Sequence, residues 1–248
     1  MAVIDLNCDM GEGQAVEAQL VPYITSASIA CGGHYGDAAS VEQTIRLCHQ
    51  QGVAVGAHPS YPDTANFGRK SMALPAYDLL ESLAAQINLF KAISDGQGVA
   101  MHHIKPHGAL YNDMANDAAL STVFAQWLQQ QYPQAVIYIL SGSLCGTILQ
   151  QHGITVAQEV FADRTYTDMG TLTPRSQPNA LHTAQADTVA QVLALVQDQR
   201  VCSTNGIWLP MKADTVCLHS DTPHALTMAV SIYNALIEHG ITVKALHA

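Results

Sequence analysis

The stretch MHHIKPHGALYN, Met101 to Asn112, places His102, His103, Lys105 and His107 within six positions, in a chain with only ten Lys and Arg. Similar residue types gather at five other places: Asn7, Asp9 and Glu12 in DLNCDMGEG; His34 and Asp37 in CGGHYGD; His58 in GAHPS; Glu159, Asp163 and Arg164 in EVFADR; His219 and Asp221 in HSD. Imidazoles titrate near neutral pH and carboxylates accept protons, so such a set suits general acid–base chemistry on a polar substrate. The same donors can hold a divalent metal. Asp9, His34 and His58, joined by His107, are the candidates for a zinc or manganese site with an open position.

Local spacing does not decide between these readings. The pattern H-E-x-x-H is absent, and the one H-x-x-x-H, His103 to His107, contains Pro106, which argues against a helix aligning the pair. A metal-free site, in which a carboxylate or imidazole activates water, stays open as the alternative. Two of the five arginines, Arg164 and Arg175, share one segment rich in Thr, Pro and Asp. Their forks suit a substrate carboxylate or phosphate, or else an internal ion pair with Asp163 or Asp168. Lys105, extended because it precedes Pro106, is expected to reach the strand-end face as an anion binder or oxyanion stabiliser. His103 is expected to join it, whereas His102 lies across the pleat and reads as structural. His49, His152 and His239 fall at helix ends, where they complement the dipole.

Two familiar nucleotide and nucleophile motifs are missing. GEGQAV at Gly11 lacks the third glycine of a dinucleotide loop, and no G-x-x-x-x-G-K-[ST] occurs, so ATP is not expected to bind through a P-loop. SGSLCG from Ser141 is not a nucleophile elbow, since Ser141 and Cys145 stand where glycines are needed; Ser143 is expected to cap a helix.

The elements that must position these residues are short apolar strands alternating with longer amphipathic helices. Strands are predicted at 3–6, 27–30, 53–57, 99–104, 135–140, 155–161 and 215–218, with a further candidate from Ile241. Helical stripes run through Leu79, Leu83, Ile87, Phe90 and Ile93, and through Val189, Val192, Leu193 and Val196. Pro75 and Pro223 suit first helical turns, with Thr222 as a cap for the second. Segment 162–179 has no periodicity and reads as an ordered functional loop. Such alternation predicts a mostly parallel α/β sheet, and in a parallel barrel every chemical residue named above would lie on the one face that receives the strand C-termini.

Composition narrows the partners. At 248 residues, 48% hydrophobic and 12% charged, the chain suits one domain with a large core. A formal charge of −10 and no run of Lys or Arg argue against nucleic acid and anionic membranes. Six scattered cysteines without a C-x-x-C pair read as reduced thiols. With no signal-like N-terminus and no apolar run near the ~20 residues that span a bilayer, a cytoplasmic location is expected.

DLNCDMGEG (5–13), IACGGHYGD (29–37), VGAHPSYPD (55–63), FGRK (67–70), KPHGALYN (105–112), EVFADRTYTDMGTLTPRSQP (159–178) and HSDTP (219–223) together resemble the LamB/YcsF family almost end to end. The resemblance implies an irregular seven-stranded (β/α) barrel of the glycoside hydrolase/deacetylase type, here one domain over 1–248. It also implies hydrolysis of the lactam ring of 5-oxo-L-proline to L-glutamate with consumption of ATP, within a 5-oxoprolinase complex that includes partner subunits B and C. If the partners activate the lactam, this chain need only hydrolyse an activated ring, which fits the missing P-loop. On that expectation Asp9, oriented by His34 or His58, deprotonates water; Lys105 and His107 stabilise the oxyanion or its phosphate; and Arg164 or Arg175 holds the substrate carboxylate. Asn7, Glu12, His103, Glu159, His219 and Asp221 complete the substrate pocket. One departure stands out: the family reads ACGFHAGD where this chain has Gly33 and Tyr35, which puts the pocket wall beside His34 in question. Two rivals remain, a metal-dependent carbohydrate deacetylase and a non-catalytic binding subunit of the complex.

Overall fold

The computed structural model describes residues 2–222 and 224–246. Strands β1 (Val3–Met10), β2 (Ser26–Ala30), β3 (Ala54–His58), β4 (Met101–Ile104), β5 (Val136–Leu140) and β6 (Thr155–Phe161) follow one another in the sheet. A short antiparallel hairpin of β7 (Arg200–Cys202) and β8 (Trp208–Pro210) stands apart. β9 (Thr215–Leu218) then closes the barrel, and β10 (Thr242–Val243) lies against the start of β1. The barrel is a closed ring of seven parallel strands, β9 pairing with both β6 and β1. Helices are α1 (Glu17–Leu20), α2 (Ala38–Gln50), α3 (Ala76–Gly96), α4 (Gly108–Asn116), α5 (Ala118–Gln131), α6 (Leu144–Gln151), α7 (Gln185–Gln197) and α8 (Ala225–Glu238).

Local signals explain most boundaries. β5 reads VIYIL and is buried throughout, as a parallel strand covered on both faces must be. Asp37 opens α2 with a reciprocal capping box to Ser40, and Ser143 caps α6 by accepting from the Gly146 amide at 3.2 Å. In α3 four of the five predicted stripe residues, Leu79, Leu83, Ile87 and Phe90, are buried, and Ile93 is half-buried against the core. In α7 only Val192 of the expected four is buried, and Leu195 joins it. The expected helix start at Pro223 lies outside the described residues. Thr222 does not cap α8: the helix begins at Ala225 without a side-chain cap, and Thr222 Oγ1 has no hydrogen-bond partner among the described residues.

Two differences from the sequence expectation bear on the site. β1 does not stop at Leu6 but runs to Met10, so Asn7 and Asp9 lie inside the strand. Its alternation places Asp5, Asn7 and Asp9 on one face, the barrel interior, at three successive levels. Segment 162–179 is pinned by bridges Arg164 to Leu181, Tyr166 to Leu172 and Tyr166 to Ser203, so it is ordered by pairing with itself, with Leu181 and with the turn of the unexpected β7–β8 hairpin. All six cysteines are free thiols, and Cys202 alone is exposed. Among the described residues no helix is long and apolar enough to cross a membrane.

Candidate active site

At the C-terminal end of the strands a cavity of about 520 Å³ is lined by Asp9, Glu12, His58, Lys105, His107, Arg164, Arg175, His219 and Asp221, with Arg69, Tyr111 and Asn112. The barrel thus brings six separated segments to one face, where such folds build their sites. Asn7, His34, Glu159 and His103 do not line it. The first three act on residues that do.

Lys105 is the centre of the floor. Fully buried at the end of β4, its Nζ meets Asp9 Oδ1 at 2.8 Å, Glu159 Oε1 at 2.7 Å, Asn7 Oδ1 at 3.1 Å and Cys217 Sγ at 3.1 Å. An ammonium has three N–H donors, so these partners leave none for substrate. Lys105 therefore positions Asp9 rather than binding an oxyanion. Burial opposes its charge, but Asp9, then Cys217 and Glu159, hold its pKa well above the ordinary lysine value. Asn7 links Glu159 Oε1 at 3.0 Å to Thr215 Oγ1 at 2.8 Å and so supports this floor from below.

Asp9 presents its other oxygen, Oδ2, to His58 Nε2 at 3.4 Å. Burial works against ionisation of Asp9, yet His58 and Lys105 outweigh it and hold the carboxyl well below the usual range. Glu12 goes the other way: burial, reinforced by Asp9 and Asp221, pushes its carboxyl well up. Two neighbouring carboxyls are thus shifted in opposite directions, which is the usual preparation for acid–base work.

Glu12 reaches a histidine cluster. The Glu17 carboxylate braces the loop between β1 and α1 by accepting from the Gly11, Glu12 and Gln14 amides, which fixes Glu12 in place. Glu12 Oε1 lies 3.0 Å from His34 Nε2, 3.5 Å from His107 Nδ1 and 4.0 Å from His58 Nε2. The expected metal set of Asp9, His34 and His58 is therefore regrouped: among the described residues Glu12, His34, His58 and His107 lie close enough to share one ion, while Asp9 falls in a second such group with Cys217 and His219. His34 and His107 stack at 3.7 Å, and burial, then His58, lowers His34 to about 2. Burial with His58 and His34 likewise holds His107 well below its ordinary value. His34 thus orients Glu12 and not Asp9.

The rim supplies cations and a second histidine pair. Arg69 Nη2 donates to Asp221 Oδ2 at 2.5 Å, and Arg175 Nη1 approaches the same oxygen at 3.8 Å. Arg164 is committed elsewhere: its Nη2 donates to Thr173 O at 2.6 Å and its Nε to Ala180 O at 3.4 Å, which ties the 162–179 loop shut. His219 is held at Nδ1 by Asp163 at 2.8 Å. Burial resists the Asp163 charge, but His219 prevails and lowers that carboxyl.

Phe67 stands beside the cluster in a left-handed conformation, φ 55°, which non-glycine residues adopt only at a cost. Its carbonyl accepts from His107 Nε2 at 3.1 Å, and its ring packs edge-on, 5.1 Å from His34 and 5.5 Å from His107. Next to it Gly68 meets Gly108, φ 60°, so closely that a Cβ on Gly108 would lie 2.5 Å from Gly68 O. Gly33 faces away from the cavity: a Cβ there would collide with Gln86 Oε1 and Ser60 Oγ, because Gln86 fills that space while bonding the Ser60 amide and carbonyl. A phenyl at 33 is excluded while Gln86 holds that place.

Sequence reasoning had no separate role for Arg69 or Tyr111, although FGRK and KPHGALYN were both visible motifs. The signal for Arg69 lay in its position two residues after Phe67, within a loop that a barrel folds over its own mouth.

The sequence matches the LamB/YcsF family over residues 4–248. This chain belongs to the LamB/YcsF family. Among LamB/YcsF relatives, the A subunit of the Tolumonas auensis 5-oxoprolinase is 42% identical, covering 99% of this chain and 100% of the relative. That of Geobacillus kaustophilus is 43% identical, covering 99% and 97%. A solved structure, the lactam utilization protein of Thermus thermophilus, superposes with a TM-score of 0.91 at 32% identity, covering 98% of this chain and 100% of that one. The peptidoglycan deacetylase PdaC of Bacillus subtilis superposes at 0.52 with 13% identity over 98% of this chain and 87% of its own, a likeness of fold alone.

Proposed function

We propose that this chain is the A subunit of an ATP-dependent 5-oxoprolinase and performs the hydrolytic half of its reaction, opening the activated lactam of 5-oxo-L-proline to L-glutamate. The end-to-end identity with relatives named as that subunit carries the reading. The cavity suits the chemistry: an ionised carboxylate on its floor, arginines at its rim and a small volume.

Asp9 Oδ2, the oxygen that Lys105 leaves free, takes the proton of a water that attacks the lactam carbonyl carbon. The carbonyl–nitrogen bond then breaks, and His219, oriented by Asp163, delivers a proton to the leaving nitrogen; a second water displaces the activating phosphoryl group from the opened acyl group as inorganic phosphate, leaving the glutamate carboxylate. Arg69 and Arg175 hold the substrate's anionic groups, taking over part of the role that Asp221 fills in the unliganded rim. Lys105 and Glu159 fix Asp9 without touching substrate. Subunits B and C supply activation at the expense of ATP.

Glutamate release from 5-oxoproline, measured with this chain alone and then with subunits B and C plus ATP, tests the assignment. The expected result is turnover only in the full mixture, reduced by about 10²–10⁴ in Asp9→Asn. Full turnover by Asp9→Asn, with His58→Ala also unaffected, sinks the catalytic reading and leaves a binding subunit.

A further inference from the structure

We infer that Glu12, His34, His58 and His107 form a binding site for one divalent transition-metal ion of the zinc class, placed beside Asp9 in the cavity wall. Backbone carbonyls fix where the histidine protons sit. His58 Nδ1 lies 2.7 Å from Lys105 O, and His107 Nε2 lies 3.1 Å from Phe67 O. A carbonyl oxygen only accepts, so each of these nitrogens carries the proton of its ring. In the neutral rings the other nitrogens, His58 Nε2 and His107 Nδ1, are then bare lone pairs. The structure sets them 2.9 Å apart, facing one another. Two buried lone pairs at that separation repel unless a cation stands between or beside them.

The rest of the cluster sets a carboxyl group and a third imidazole against the same pair. Glu12 Oε1 lies 3.5 Å from His107 Nδ1 and 4.0 Å from His58 Nε2, and His34 Nε2 is 3.0 Å from Glu12 Oε1. Metal–ligand bonds of about 2.0–2.1 Å in a tetrahedron separate the ligand atoms by about 3.4 Å. The four measured edges, 2.9 to 4.0 Å, straddle that value, and all ligand atoms lie within 4.8 Å of one another. The backbone carbonyls on the far nitrogens are the outer-shell partners that metal-binding histidines ordinarily have, fixing tautomer and ring orientation. Charge agrees: the buried ammonium of Lys105 is paired with Asp9 and Glu159, which leaves the Glu12 carboxyl to another cation.

Three imidazoles and one carboxylate favour zinc-class ions over magnesium or calcium, which prefer oxygen. Such an ion would act as a Lewis acid toward a carbonyl in the cavity or make a bound water more acidic. The site does not depend on which substrate the cavity takes.

The test is metal binding by the full chain, with Co²⁺ as a spectroscopic probe. Purified protein, stripped with a chelator and dialysed, is titrated with Co²⁺ and with Zn²⁺, while circular dichroism confirms the fold. The expected result is one equivalent bound, tetrahedral Co²⁺ absorption displaced by Zn²⁺, and no displacement by excess Mg²⁺. His58→Gln and His107→Gln should each weaken Zn²⁺ by more than the roughly 10–100-fold typical of losing an outer-shell partner; His152→Gln should not. Folded wild-type protein that takes up neither ion overturns the site and assigns a shared proton to the His58–His107 pair. Uptake that survives both ligand substitutions overturns it equally, and should a variant fail to fold, the wild-type titration decides alone. A filled site in a complex inactive on 5-oxoproline counts against the proposed reaction and leaves the metal site standing.

Discussion

The barrel interior carries two polar layers that differ in what completes them. At the upper end Lys105 sits among Asp9, Glu159 and Asn7, and the groups above it open onto the cavity. At the lower end Asp5 accepts from Thr25, Ser26 and Thr215 at 2.6, 2.7 and 2.5 Å and from Tyr138 at 3.2 Å, while His103 bonds Ser28 at 3.0 Å and stacks on Tyr138 at 4.0 Å. Both layers are buried and rich in titratable groups. The lower one closes on itself with neutral hydroxyls, and the upper one is held by charges whose remaining valences face a space for substrate. Polar density alone does not mark a site; unspent bonding capacity next to a cavity does.

The largest test of this contrast is Lys105→Gln. Removing the ammonium leaves Asp9 and Glu159 facing each other in the interior, which should cost about 3–5 kcal/mol of stability and abolish glutamate formation, read by thermal melts and by the reconstituted assay. A well-folded, active Lys105→Gln would erase the distinction between the layers. Arg69→Gln comes next: the rim loses a charge-assisted contact, so KM for 5-oxoproline should rise about tenfold or more while kcat changes little. A fall in kcat at constant KM would move Arg69 from binding to chemistry.

The smallest effects belong to the lower layer. His103→Gln should leave turnover per folded molecule unchanged. Asp5→Asn should cost about 1 kcal/mol or less and also spare turnover. Its signature is in the pH dependence. Burial raises the Asp5 carboxyl above its ordinary 3.8, against the pull of the hydroxyls around it. A group raised on folding contributes stability that is complete below its unfolded value and is lost as pH rises through the folded one. Wild type should therefore lose its advantage over Asp5→Asn as pH rises above the ordinary 3.8 in chemical denaturation; an advantage that grows with pH would show the ionised form to be preferred.

The same contrast explains what the sequence disclosed. Strands such as β5 and β9 were legible because continuous burial writes itself as an apolar run, and the residues after each strand were legible because a parallel barrel sends every strand end to one face. The continuation of β1 through Asn7 and Asp9 was hidden by a polar interior, where inward positions look like loop. His103 read like His107 because they are four residues apart, yet β4 ends between them, leaving one inside the barrel and the other at the head of α4. The exchange of Asp9 for Glu12 in the histidine cluster depends on the loop that Glu17 braces, a contact across five residues that no periodicity announces. Likewise, nothing local in Arg164 tells that its Nε and Nη2 donate to the Ala180 and Thr173 carbonyls.

Phe67 makes the site a place where engineering goals diverge. Its left-handed backbone stores about 1–2 kcal/mol that glycine would release at once. A selection for heat resistance alone should therefore drift toward Phe67→Gly. The same change strips the ring from the edge of His34 and His107 and frees the carbonyl that fixes the His107 proton to move. Hardened variants of this barrel should emerge with higher melting temperatures and poorer catalysis from a single codon.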